Sequence, residues 1–201
     1  MLGADANALH ETLLGDCRSV LIGHDWGAAA AYVASSEAPD RWSKVIAASW
    51  PPIPEAIDLA SFEQMQRSWY VFLFQLEIAS QVVMRPDFIA SLWQSWSPRY
   101  GNNDEMAAAV AALSGPQGSD LALAHYRALF SEGVDAAVMP LHPTLYLHGV
   151  EDGCIGSELV HGLANVLPAG SKVEMMPGVG HFPQLEAPTK FNEVVQAFLS
   201  S

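Results

Sequence analysis

Short apolar runs alternate with amphipathic or alanine-rich stretches in the first fifty residues. An amphipathic stretch at residues 6–14 predicts a helix, and the apolar run at residues 18–23 is typical of a buried parallel strand. The alanine-rich residues 28–36 predict a second helix, and residues 44–48 predict a second strand, which must end before Pro51. This order of helices and strands favours a parallel sheet with crossover helices.

The pattern changes between residues 54 and 137, where apolar positions take helical spacing and aromatic side chains are frequent. The aromatic residues of this stretch include Trp69, Tyr70, Phe72, Phe74, Trp93, Trp96, Tyr100 and Tyr126. Strand patterns return at residues 144–147 and 172–176. We therefore predict an α/β fold in which residues 1–53 and 138–201 form a parallel-sheet core, and residues 54–137 form an inserted helical lid.

Composition and net charge disfavour some classes of binding partner. The chain has 201 residues, of which 50% are hydrophobic, and its formal net charge is -13, which disfavours binding to phosphate-bearing nucleic acid or anionic membranes. No apolar run approaches the ~20 residues of a membrane span, and the N-terminal residues do not resemble a signal peptide. We expect a cytoplasmic protein that acts on a small neutral or cationic molecule.

The residue types that could bind a metal do not occur at the spacing of a known metal site. Cys17 and Cys154 are far apart, and the pairs His142/His148 and Glu151/Asp152 match no metal motif. We therefore expect no metal, no cofactor and no disulfide.

The segment Gly23-His24-Asp25-Trp26-Gly27 lies where the first predicted strand turns into the second predicted helix. This is the pattern of a nucleophile elbow, with aspartate in place of the commoner serine. We expect that a Cβ at either flanking glycine would collide with neighbouring backbone. The helix N-terminus favours an ionised Asp25. The alternative interpretation is that Asp25 is not a nucleophile but a structural N-cap in a glycine-flanked turn.

Two further residues follow later predicted strands. Asp152 comes after the strand at residues 144–147, and His181 comes after the strand at residues 172–176. The order nucleophile, acid, histidine is that of α/β-hydrolases, and the carboxyl ends of parallel strands are where such sheets place their sites. Glu151 is an alternative to Asp152 as the partner of His181.

Together these motifs resemble the epoxide hydrolase branch of the α/β-hydrolase superfamily, whose elbow has the same Gly-His-Asp-Trp-Gly form. In that branch the lid supplies two tyrosines, one from a Tyr-x-x-x-Phe-Gln segment and one from a Tyr-Arg pair. This chain has Tyr70 with Phe74-Gln75, and Tyr126 with Arg127. The resemblance implies an α/β-hydrolase fold with a partial parallel sheet and an inserted helical lid.

The resemblance also implies a mechanism and a small apolar epoxide as substrate, with water as the second reactant. Asp25 would open the ring and form an alkyl ester, while Tyr70 and Tyr126 assist the departing oxygen. His181, oriented by Asp152, would activate water, and the backbone N–H of Trp26 would supply half of the oxyanion hole.

The chain departs from the family pattern before the elbow. In the family the nucleophile follows the fifth strand of an eight-stranded sheet, whereas 24 residues precede Asp25. The resemblance therefore implies that the N-terminal strands are missing, together with the His-Gly-x-Pro loop that donates the second oxyanion N–H. Because a sheet cut in this way exposes an edge, we expect self-association or a complementing chain.

Other functions compatible with the pattern remain open. A haloalkane dehalogenase would share Asp25 and could hold a halide with Trp26, although halide departure does not need Tyr70 and Tyr126. A serine esterase is disfavoured because no serine occupies the centre of the elbow. A non-catalytic binding module or fragment is the alternative from a different class.

Overall fold

A computed structural model describes the chain over residues 2–52, 61–83, 85–101, 103–128 and 138–201. Within these ranges a parallel sheet has its strands in sequence order, namely β1 (Ser19–His24), β2 (Trp42–Ala48), β3 (Thr144–Gly149) and β4 (Lys172–Met176). All four predicted strands are confirmed. β1, β2 and β3 extend beyond the predicted residues, because hydrogen bonding to a neighbour continues past the apolar run.

Helices precede, separate and follow the strands. They are α1 (Leu2–Leu14), α2 (Trp26–Glu37), α3 (Phe62–Arg67), α4 (Trp69–Leu73), α5 (Ala79–Val83), α6 (Pro86–Trp96), α7 (Asp104–Leu113), α8 (Pro116–Ala128), α9 (Leu163–Val166), α10 (Pro183–Glu186) and α11 (Pro188–Leu199). Short 3-10 helices cover Pro39–Arg41 and Ser157–Val160. No helix of the described residues is long and apolar enough to cross a membrane.

Each face of the sheet buries its own apolar cluster. Val45 and Ala47 of β2 pack with Tyr32 of α2 on one face. Ile46 of the same strand packs with Phe198 of α11 on the other face. Because successive strand residues point to opposite faces, an uninterrupted apolar run is what a sheet covered on both sides requires.

A third apolar cluster lies away from the sheet. It joins Tyr70 and Phe74 to Val83, Leu92 and Leu123, all of which lie in the helical region between β2 and β3. The helical periodicity expected there is thus confirmed for residues 61–83, 85–101 and 103–128. The expected boundaries at 53/54 and 137/138 fall on residues 53–60 and 129–137, which lie outside the described residues.

Candidate active site

Asp25 lies between the end of β1 and the start of α2. Its backbone has φ 51° and ψ -120°, and its N–H donates to the carbonyl of Ala48 at 2.9 Å. A positive φ is strained for a residue with a Cβ, and such strain is common at functional sites. Although Asp25 occupies the N-cap position, its side chain makes no capping hydrogen bond. The carboxylate is 21% exposed and is left free for another partner.

The two glycines of the elbow differ in their surroundings. A Cβ on Gly23 would lie 2.2 Å from the carbonyl oxygen of Gly27, which confirms the expected collision with backbone. The same expectation is wrong for Gly27, where a Cβ would meet no described atom within 4 Å. The difference arises because Gly23 lies under the start of α2, whereas Gly27 is exposed on that helix.

The three polar residues that follow β1, β3 and β4 are brought together. His181 Nδ1 lies 2.9 Å from Asp152 Oδ2, and His181 Nε2 lies 4.0 Å from Asp25 Oδ1. Asp152 is fully buried, and its other oxygen accepts hydrogen bonds from the N–H groups of Cys154 and Ile155. Of the two candidate partners of His181, Asp152 makes the contact. Glu151 pairs with Arg99 at 2.7 Å instead.

Neighbouring carboxylates control the pKa of His181. Burial alone would lower the pKa of His181, but the neighbouring carboxylates of Asp152 and Asp25 raise it above the ordinary value of 6.5. The nearby His148 behaves differently, because burial dominates there and lowers its pKa. His181 is therefore the imidazole whose proton affinity is set by Asp25 and Asp152.

Glu186, which no sequence motif indicated, fixes the loop that carries His181. Glu186 Oε1 accepts hydrogen bonds from the hydroxyl of Ser97 at 2.7 Å and the N–H of Phe182 at 3.0 Å. Glu186 Oε2 accepts from the N–H of Gly180 at 2.8 Å. Ser97 also accepts from the N–H of His181. Glu186 thus ties both sides of His181 to the residue that follows α6.

The carbonyl of His181 is held from the sheet side. His24 Nε2 donates to it at 2.7 Å, and the hydroxyl of Ser49 donates to it at 2.8 Å. Burial lowers the pKa of His24, which keeps this ring neutral. His24 was visible in the sequence beside Asp25, but its partner is 157 residues away, so only the fold reveals the contact.

Tyr70 and Tyr126 lie next to each other, with ring centroids 5.9 Å apart. Burial raises the pKa of both phenols, and the negative charge of Asp25 raises it further. The hydroxyl of Tyr70 lies 3.2 Å from the Cys154 thiol, and the ring of Tyr126 lies 5.6 Å from that of Trp26. Both phenols are therefore protonated, so each can donate a hydrogen bond.

Trp26 is the first residue of α2. N–H groups in the first turn of a helix have no acceptor within the helix, so its backbone N–H is available to an anion. Its indole stacks on Trp50, with ring centroids 5.6 Å apart.

An apolar cavity of about 230 Å³ opens beside these groups. Its aromatic lining is formed by Phe74, Phe88, Trp93, Trp96, Tyr126 and Phe182. Trp96 does more than pack the helices together, because its ring lies 5.2 Å from that of Tyr70 and 5.7 Å from that of His181. Helical spacing alone does not distinguish a packing ring from one that lines a cavity.

Asp152, Cys154 and His181 are the described residues whose ligand atoms come close enough to hold a metal, within 4.8 Å of one another. These atoms already have partners in the protein. Asp152 and His181 bond to each other, and the Cys154 thiol contacts the hydroxyl of Tyr70. Burial also raises the pKa of this thiol, which disfavours the thiolate that a metal requires.

Comparisons with known proteins agree with the fold. Residues 2–194 match the alpha/beta hydrolase family. Epoxide hydrolase 3 of Xenopus tropicalis is 28% identical over 198 residues, which cover 92% of this chain and 54% of that protein. Epoxide hydrolase 1 of Caenorhabditis elegans is 26% identical over 200 residues, covering 93% and 49%. The expected resemblance to epoxide hydrolases is confirmed, and the chain spans about half the length of the curated relatives it matches.

Solved structures support the fold. A mutant epoxide hydrolase from Bacillus megaterium superposes with a TM-score of 0.78 at 24% identity, covering 99% of this chain and 75% of that chain. A putative acyltransferase from Salmonella enterica reaches a TM-score of 0.81 at 19% identity, covering 98% and 69%. Proteins named for different activities thus share this fold, so the fold alone does not fix the function. By its fold and by the match over residues 2–194, the chain belongs to the alpha/beta hydrolase family.

Proposed function

We propose that the chain opens epoxides to vicinal diols through a covalent alkyl ester on Asp25. The observation that carries this proposal is the pair of buried, protonated phenols Tyr70 and Tyr126, whose ring centroids lie 5.9 Å apart. The ring of Tyr126 also lies 5.6 Å from that of Trp26, the residue that directly follows Asp25. The similarity to proteins named epoxide hydrolases gives independent support.

Ring opening is the first step. A carboxylate oxygen of Asp25 attacks a ring carbon, the bond from that carbon to the epoxide oxygen breaks, and an ester forms. The oxygen that leaves carries negative charge, so it takes a proton from Tyr70 or Tyr126, which becomes a phenolate. The apolar cavity holds the substituent of the epoxide while Asp25 attacks.

Hydrolysis of the ester is the second step. His181 Nε2 takes a proton from water, and the water oxygen attacks the carboxyl carbon of Asp25. The N–H of Trp26 stabilises the oxyanion, and Asp152 stabilises the imidazolium. The imidazolium returns its proton to the alkoxide that leaves as diol. The proton then lost by the regenerated Asp25 carboxyl restores the phenol, so one epoxide and one water give one diol.

The test is product formation by the chain itself. Purified protein is incubated with an aryl epoxide and, separately, with a bromoalkane, and diol and bromide are measured. The expected result is diol formation that is lost in Asp25→Asn and retained in the surface control Asp16→Asn. Bromide release without diol would favour the dehalogenase reading. Ligand binding that Asp25→Asn leaves unchanged, without turnover, would favour a non-catalytic binding module.

The expected self-association stays a proposal, together with the expected cytoplasmic location. Self-association is supported by the edge of the sheet, because β1 pairs with β2 and with no other described strand, and Ile22 on β1 is 60% exposed. Sedimentation of the wild type and of Ile22→Lys tests it. A monomer for both at micromolar concentration would contradict self-association through this edge.

A further inference from the structure

Cys154 carries a buried thiol that the proposed reaction does not use. The residue is 3% exposed and belongs to the apolar cluster that contains Tyr70. Its Sγ lies 3.2 Å from the hydroxyl of Tyr70, which is a hydrogen-bonding distance for sulfur. The same sulfur comes within 4.8 Å of ligand atoms of Asp152 and His181. The thiol therefore lies close both to the acid–histidine pair and to a phenol that is proposed to assist ring opening.

The backbone of Cys154 is held from two sides. Its N–H donates to Asp152 Oδ1 at 2.7 Å, so the turn that binds the carboxylate also fixes the cysteine. Its carbonyl accepts a hydrogen bond from Gln64 Nε2 at 2.9 Å, and Gln64 Oε1 accepts one from the N–H of Gly156 at 2.8 Å. Gln64 is fully buried and belongs to α3, the helix that precedes the one carrying Tyr70. The position of the thiol is therefore set both by the loop after β3 and by the helical region.

The protonation states determine which atom donates in the contact between Cys154 and Tyr70. A thiolate would have to accept from the phenol, but burial raises the pKa of Cys154, so the sulfur keeps its proton. The hydroxyl of Tyr70 has a single proton. Its hydrogen bond to Tyr126 lowers the pKa of that phenol, which is the effect of a donor on an acceptor that gains negative charge. With its proton directed at Tyr126, Tyr70 accepts from the S–H of Cys154.

This order of donors suits the proposed ring opening. An epoxide oxygen that replaces Tyr126 as the acceptor would receive the proton of Tyr70 without rotation of the hydroxyl. The S–H of Cys154 then stays on the phenolate oxygen, and a hydrogen bond to a charged acceptor is stronger than one to a neutral acceptor. The thiol keeps its own proton throughout, so the balance of the reaction is unchanged.

We propose that Cys154 is a positioning residue, whose S–H orients the hydroxyl of Tyr70 and stabilises the phenolate that forms during ring opening. This inference rests on the proposed function for the identity of the reaction. Cys154 acts through Tyr70 and does not touch the substrate. Its effect should therefore appear in formation of the ester and not in hydrolysis of the ester.

The first experiment detects the hydrogen bond and needs no turnover. The S–H stretch absorbs in a window of the infrared spectrum that other protein bands leave free, and its frequency falls when the S–H donates. Because the sequence has two cysteines, Cys17→Ser at the exposed position leaves Cys154 as the single thiol. We expect the band of Cys17→Ser to lie at lower frequency than that of Cys17→Ser combined with Tyr70→Phe. Tyr100→Phe in the same background is the matched control and should leave the band in place. An equal frequency with and without the Tyr70 hydroxyl would overturn the inference.

The second experiment measures the effect on ring opening. Formation of the ester on Asp25 from an aryl epoxide is followed by rapid mixing. Loss of the hydrogen bond in Cys154→Ala should slow this step by roughly three- to tenfold. Cys154→Ser, whose hydroxyl can donate in the same way, should recover most of the rate, and Cys17→Ser should match the wild type. Both substitutions at position 154 keep the N–H that binds Asp152, so hydrolysis of the ester should be unchanged.

A double-mutant cycle separates positioning from packing. Because the thiol acts through the hydroxyl of Tyr70, Cys154→Ala should have no further effect on ester formation in Tyr70→Phe. The same slowing in both backgrounds, or equal slowing of ester formation and hydrolysis, would show a packing role and overturn the inference. An unchanged rate of ester formation in a folded Cys154→Ala protein would also overturn it and leave the epoxide hydrolase proposal standing. An infrared shift without an ester in any variant would support the positioning of Tyr70 by Cys154 and contradict the proposed function.

Discussion

His181 Nε2 lies 4.0 Å from the nearer carboxylate oxygen of Asp25. This distance exceeds a hydrogen bond, so the imidazole does not occupy the lone pairs with which Asp25 attacks. It is short enough for Nε2 to hold a water molecule against the carboxyl carbon of Asp25 once an ester has formed. The relationship suits a base that acts in the second half of a reaction and stays aside during the first.

The pH dependence of ester hydrolysis follows from the raised pKa of His181. A base must be neutral, so hydrolysis should slow as the pH falls through the pKa of His181, which Asp152 still raises after Asp25 has lost its charge in the ester. Asp152→Asn removes the main interaction that raises the pKa, so the midpoint should move to lower pH and the rate should fall by up to ~10⁴-fold. Single-turnover hydrolysis across the pH range measures both effects.

Glu151→Gln is the matched control for that measurement, since Glu151 pairs with Arg99 instead of His181. Its pH midpoint should equal that of the wild type. A shift in Glu151→Gln as large as that in Asp152→Asn would mean that the orienting carboxylate has been wrongly assigned.

The phenols should matter for ring opening and much less for hydrolysis. Tyr70→Phe and Tyr126→Phe each remove a buried, protonated phenol, and general acid assistance is worth ~10²–10⁴-fold in rate. We expect each variant to slow formation of the ester by about 10²-fold in a rapid-mixing experiment. Tyr100→Phe, whose ring instead stacks near Trp93, should alkylate at the wild-type rate. Equal rates for all three variants would remove the phenols from the mechanism.

The two elbow glycines should respond oppositely to alanine. Gly23→Ala places a Cβ against the Gly27 carbonyl, so the free energy of unfolding should fall by roughly 1–3 kcal/mol. Gly27→Ala fills open space on α2 and should raise the free energy of unfolding by about 0.5–1 kcal/mol. Urea denaturation of the two variants measures the difference, and losses of equal size would show that the elbow is packed differently.

Glu186 is expected to affect ester hydrolysis by holding His181 in position. Glutamine has one acceptor oxygen, so Glu186→Gln leaves Ser97, Phe182 or Gly180 without its partner. We expect ester hydrolysis to slow by about tenfold, since misplacing a catalytic group by a fraction of an ångström is costly. Ester formation, which does not use His181, should be unchanged.

Glu193→Gln, on the exposed side of α11, is the control for Glu186→Gln and should change neither half-reaction. If Glu186→Gln slowed both half-reactions alike, its role would be general stability. The ratio of the two rates is therefore the informative quantity.

Local patterns in the sequence were sufficient to predict the sheet and the elbow. The strands are short apolar runs bounded by glycine or proline, and Asp25, Asp152 and His181 each follow one of them. Once parallel strands are predicted, their carboxyl ends must meet, so the convergence of these three residues could be expected from chain order.

Contacts between distant segments could not be predicted in this way. Glu186 binds Ser97, which is 89 residues away, and the carbonyl of His181 binds His24 and Ser49 across the sheet. The Trp96 N–H, which has no hydrogen-bond partner among the described residues, was equally hidden, because the helical spacing of α6 is the same for a packing residue and a cavity residue. Such features depend on packing geometry, which periodicity does not encode.

The role of Asp25 as nucleophile is tested by a search for the covalent ester in His181→Gln. This variant keeps Asp25 and both phenols but lacks the base, so an aryl epoxide should leave an adduct on Asp25 that peptide mass spectrometry locates. One adduct per chain is expected at Asp25, and none in His181→Gln combined with Asp25→Asn. A folded His181→Gln protein that forms no adduct, or forms it at another residue, would show that Asp25 is not the nucleophile.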